Sequence, residues 1–120
     1  MEQDKNLDVF NGLASFVDKQ EILEGIVNQL AKDTGFDYSH IPLDAEDPIF
    51  LETMRKDLAF YIRNLASKSH IRFMHIIFRV DISQAKMNTI PSGDFYYHQL
   101  SELILSRLFQ KIITKRHFKS

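Results

Sequence analysis

The chain contains no cysteine and no tryptophan, and its 120 residues include only four glycines and three prolines. Without cysteine there are no disulfides, no thiolate metal sites and no cysteine nucleophile. So few breakers of regular structure leave little room for long irregular loops. No apolar run approaches the ~20 residues that a membrane-spanning helix needs. The opening residues, MEQDKNLD, are polar and acidic, whereas an export signal is basic and then apolar. The expectation is a cytoplasmic protein with no membrane partner. Nothing resembles a phosphate-cradling glycine loop, a Gly-x-Ser-x-Gly elbow or a dinucleotide fingerprint; the glycines at 12, 25, 35 and 93 are scattered.

What the chain does have is the composition of an ordinary globular protein, 44% hydrophobic and 26% charged. Its length suits one domain, residues 1–120, with a single core. The net charge of −1 conceals a split: residues 1–60 carry 13 acids against 5 bases, and residues 61–120 carry 3 against 10. Such a division can mark an acidic or basic interaction surface, or two halves that fold together and neutralise each other.

Helical spacing dominates. Leu7, Phe10, Leu13 and Val17 predict a short amphipathic helix over 6–17. Asp18 and Glu21 resemble a capping box, with Val17 and Ile22 at the staple positions. The helix that follows carries Ile22, Leu23, Ile26, Val27 and Leu30, and stops at Thr34-Gly35. Residues 36–47 lack periodicity and read as a solvated acidic loop. Asp47-Pro48 is a helix start, opening a third helix over roughly 48–66, and Ser67–Ser69 offers a break and a new cap.

Residues 71–82, IRFMHIIFRVDI, fit strand alternation about as well as helical spacing. Backbone hydrogen bonding arbitrates. A buried strand needs a partner for its N–H and C=O groups, and no second strand candidate exists in the chain. A helix over 69–82 is therefore expected, with Arg72, His75 and Arg79 forming a narrow wet rim on an otherwise buried element. Residues 83–94 read as a loop with one helical turn near 84–88. Asp94 would then cap a final helix over 95–116, whose outward strip is Gln99, Glu102, Ser106, Gln110 and Thr114.

That last helix is apolar over more than half its circumference, so it is either central or at a dimer interface, with Leu105, Leu108, Phe109 and Ile112 as interface candidates. It is also basic: Arg107, Lys111 and Lys115 step by four, Arg116 and Lys119 follow, and no acid occurs after Glu102. Those cations could contact phosphates or an acidic protein, with Phe118 as a stacking residue. They equally suit the negative end of a helix dipole. His98 and Glu102, one turn apart, could hold a metal or do acid–base work, but no second such pair completes a di-metal site, so no metal and no cofactor are expected. Residues 33–44 fail as a calcium loop, with Tyr38 at the glycine position and Asp44 at the bidentate glutamate position. The helix over 19–34 is too acidic to read DNA.

The sequence thus predicts an all-α bundle of about five helices. It points to a non-catalytic interaction module, expected to be a homodimer through the C-terminal helix. The alternative is a nucleic-acid-associated protein using the basic face of that helix. A third possibility is an enzyme or small-ligand binder with a pocket near Tyr96, His98 and Glu102.

Overall fold

The computed structural model describes residues 19–38, 41, 44, 47 and 49–118, without the side chains of 116–118. The helix expected over 6–17, its neighbour Asp18, and Pro48 lie outside the described residues. Among those residues the protein is all-α: α1 (Lys19–Thr34), α2 (Phe50–Lys68), α3 (His70–Val80), α4 (Gln84–Asn88) and α5 (Tyr96–Phe118), with no strand. The ambiguous stretch is helical over 71–80, as the missing strand partner requires, and the helix stops two residues short of the expected 82. None of the described helices is long and apolar enough to cross a membrane.

α5 is the axis of the bundle and packs against α1, α2 and α3. Leu100, Ile104 and Leu108 are fully buried along it, facing Ile22 and Leu30 of α1, Met54, Leu58 and Ile62 of α2, and Val80 of α3 in one core. Its predicted outward strip is only partly outward. Gln110 and Thr114 are exposed, but Gln99, Glu102 and Ser106 are half-buried, with Glu102 bonded to Arg55 of α2. α1 crosses α5 closely at Gly25, where a Cβ would come within 3.3 Å of two carbons of the Ile112 side chain.

The helix ends show how the chain turns. α1 stops at Gly35, whose φ of +78° is the left-handed conformation that glycine adopts freely, and the Gly35 N–H donates to the Ala31 carbonyl. α2 begins two residues later than predicted. Asp47 does not cap it; its carboxylate accepts from the Ile49 N–H in a turn that precedes the helix. α2 and α3 meet at one extended residue, Ser69. Its N–H closes α2 on Leu65, and its hydroxyl accepts from the Arg72 N–H to open α3. α3 ends at Asp81, in the left-handed conformation at φ 68°, with Asp81 and Ile82 N–H groups donating back to the Phe78 and Ile77 carbonyls. α5 starts at Tyr96, and the Phe95 carbonyl accepts from the Gln99 N–H, so Phe95 rather than Asp94 holds the capping position.

Candidate interaction surface

The basic face of α5 turns largely inward on the chain itself. The Arg107 guanidinium donates to the Asp81 carboxylate at 3.0 Å. The Lys111 ammonium donates to the Asp33 carboxylate at 3.2 Å and to the Arg79 carbonyl at 3.1 Å. Lys115 is exposed, while the side chains of Arg116 and Lys119 lie outside the described residues. The Lys111–Asp33 pair joins the basic half of the sequence to the acidic half. A second pair joins them with the opposite polarity, Arg55 bonding Glu102 of α5 as well as Glu52 on its own helix.

The Lys111–Asp33 contact lies at the C-terminus of α1, where carbonyls left over from the helix carry its negative dipole end. The Tyr61 hydroxyl donates to the Thr34 carbonyl at 2.8 Å and Arg79 donates to the Lys32 carbonyl at 3.3 Å. With Lys111 on Asp33, α2, α3 and α5 each place one donor on this end of α1. The cations at Arg79 and Lys111 are therefore structural partners of a helix terminus.

The interface candidates divide. Leu108 is fully buried and Phe109 nearly so, which places both in the core of the single chain; neither can form a contact surface without unfolding it. Leu105 and Ile112 are half-buried and pack against that core. The His98–Glu102 pair does not form: Glu102 is drawn to Arg55, and the His98 ring lies 6.2 Å from that of Phe95. Among the described residues no three His, Asp or Glu side chains converge as a metal site. Tyr96 and Tyr97 contact each other edge-on at 5.0 Å, and Tyr97 meets Phe73 of α3 the same way at 6.5 Å. Burial, and then Tyr97, push the Tyr96 pKa up.

The loop after α1 also differs from expectation. Tyr38 is only 5% exposed, with its ring against Phe36 and Phe50 and its hydroxyl donating to the Asp57 carboxylate at 2.8 Å. Burial first, then the hydrogen bond and the charge of Asp57, push its pKa up to about 12. Phe36 and Tyr38 fasten the start of an acidic, aperiodic segment to α2; the alternation Phe-x-Tyr directly after the glycine stop was the available signal.

The surface that sequence reasoning missed belongs to α3. Phe73, Ile76, Ile77 and Val80 are its buried face. Ile71 is 70% exposed and Phe78 75% exposed, with Met74 half-buried between them. α3 is thus not an otherwise buried helix with a wet rim; it has a second, outward apolar row. The signal was present in the sequence. Residues 73, 76, 77 and 80 already supply a complete i, i+3, i+4, i+7 face, so 71, 74 and 78 are surplus. Arg72, His75 and Arg79 are all exposed, as expected, and run beside that row. Among the described residues the other exposed large apolar side chains, Ile49, Phe60 and Phe95, lie apart in sequence: before α2, on α2 and before α5.

No protein-family model, curated protein or solved structure matches the chain.

Proposed function

We propose that this chain is a non-catalytic helical interaction module that presents the outer face of α3 to a protein partner. The observation that carries this is the exposure of Ile71 and Phe78 on a helix whose inner face already completes the core. Burying a large apolar side chain is worth about 1.5–3 kcal/mol, so two of them seven residues apart are a substantial reserve of binding energy. Self-association through α5 draws support only from the half-buried Leu105 and Ile112, since Leu108 and Phe109 are committed to the core. Phosphate binding by α5 loses ground for a related reason: Arg107 and Lys111 already have carboxylate partners, leaving Lys115 as the open cation among its described side chains.

The test is site-specific photo-crosslinking in expressing cells, with benzoylphenylalanine replacing Phe78 or, as a control, the exposed Phe60 of α2. A discrete protein adduct at position 78 and none at 60 is expected. The same adducts at both positions, or none at either, would overturn the assignment of α3 as the contact face.

A further inference from the structure

The outer face of α3 consists of two parallel rows. Ile71, Met74 and Phe78 form one at spacings i, i+3 and i+7; Arg72, His75 and Arg79 form the other at the same spacings, displaced by one residue. Each row runs about 10 Å along the helix. The helix sequence HIRFMHIIFRV contains no acidic residue. Among the described residues Arg72 makes no ion pair, and Arg79 reaches the Lys32 carbonyl, which anchors the guanidinium without neutralising it. Asp33, next in sequence to the Lys32 whose carbonyl Arg79 reaches, and Asp81, the residue that ends α3, are already paired with Lys111 and Arg107.

We infer that α3 docks an acidic amphipathic helix of a partner protein, whose apolar seam covers Ile71, Met74 and Phe78 and whose flanking carboxylates meet Arg72 and Arg79. This rests on the reading of α3 as the contact face and adds the chemistry of the partner. Charge complementarity selects the occupant. In an antiparallel two-fold pairing of two α3 helices, the basic rows of the two copies lie on the same side and face each other. In a parallel pairing each basic row faces a flank of α3 that holds no acid. A second copy therefore leaves the cations unmatched. A lipid surface fits less well for a geometric reason: an interfacial helix sinks a broad apolar face, and here Phe73, Ile76, Ile77 and Val80 are spent on the core, leaving a seam one residue wide. A narrow apolar seam with charge along one edge is the pattern by which one helix recognises another.

The probe is a fluorescent helical peptide of about 18 residues, long enough to hold some helix, with leucines in a single seam and glutamates flanking it. Its twin carries lysine at every glutamate. Anisotropy titrations use the full chain. The glutamate peptide is expected to bind and the lysine twin to fail. Ile71→Ser combined with Phe78→Ser should weaken the glutamate peptide by about tenfold or more, and Arg72→Glu by several-fold with a flatter salt dependence. Equal binding of the two peptides would overturn the acidic class while leaving α3 as the contact face. A crosslinked adduct at position 78 with no binding of the glutamate peptide would do the same. Binding instead to phosphatidylglycerol vesicles, lost in the Ile71→Ser/Phe78→Ser variant, would make the occupant a lipid surface and overturn the inference. So would a dimer that the same double variant turns into a monomer.

Discussion

α5 and α3 are both rich in apolar residues, and they use them in opposite ways. α5 is surrounded: α1, α2 and α3 pack on it, and of its residues from Tyr96 to Lys115 only Gln110, Thr114 and Lys115 are exposed. α3 is peripheral and offers the bundle one face, so its surplus apolar residues, Ile71 and Phe78, remain in solvent. The number of apolar residues on a helix therefore does not say which helix has a surface to spare. How much of its circumference the neighbours cover does: α3 also meets α1, α2 and α5, but they cover only one face of it.

The largest effect should come from cutting into α5. Leu108 is fully buried, and Leu108→Ala removes its contacts and leaves a cavity that the surrounding helices can only partly close. A loss of about 2–5 kcal/mol is expected, read as a lower midpoint in urea unfolding. Leu105→Ala, at a half-buried position, should cost clearly less. Equal losses at the two positions would erase the inner and outer sides that α5 is assigned here.

Alkaline pH extends the contrast to the loop after α1, where Tyr38 is buried almost as deeply as the α5 core. Its pKa is raised from 10.0 to about 12 in the folded chain, so the neutral phenol is favoured there relative to the unfolded chain. The stabilisation is complete below pH 10 and fades as pH rises from 10 to about 12, at about 1.4 kcal/mol per unit. Tyr38→Phe should remove that alkaline slope. An ultraviolet titration should show one of the four tyrosines ionising about two units above its normal value. Tyr38 ionising at pH 10 would mean that the loop is not fastened to α2.

How much of this was legible in the chain follows the same division. Helix positions were readable because spacing and caps are local: Gly35 ends α1, Ser69 opens α3, and Ser83 accepts from the Lys86 N–H to open the short helix at 84–88. The helix within 71–82, which ends at Val80, was readable because a lone strand has no hydrogen-bond partners. What depends on tertiary position was not. The stripe Arg107, Lys111 and Lys115 is a periodic feature, but nothing local reveals that Asp81 and Asp33 meet two of its members. Leu108 and Phe109 look like a contact surface until neighbouring helices are placed over them. Tyr38 lies in a stretch with no period at all, and its burial follows from Phe36, Phe50 and Asp57 arriving around it.

Where α3 and α5 both touch the end of α1, the contrast can be sharpened with paired substitutions. Lys111→Met leaves the Asp33 carboxylate, only 14% exposed, without its cation, for an expected cost of about 1–3 kcal/mol. Arg79→Met removes a longer bond from an exposed side chain, and about 0.5 kcal/mol or less is expected. Thermal unfolding of the two variants side by side reads the difference. A larger loss at Arg79 would show that α3 is held to α1 by that contact more than by its buried face.

The smallest effect should come from α3's outer row. Ile71→Ser and Phe78→Ser replace side chains that are 70% and 75% exposed, so little buried surface is lost and no cavity forms. The helix propensities of serine, isoleucine and phenylalanine are close, so the backbone has little to lose either. Each change should leave stability within about 0.5 kcal/mol of the parent. The double variant should unfold at nearly the same temperature while binding less of a dye that reports exposed apolar surface. A clear fall in melting temperature would mean that Ile71 and Phe78 are covered in the folded chain. The surplus apolar surface of the bundle would then have to be sought away from α3, and the case for docking on that helix would fall with it.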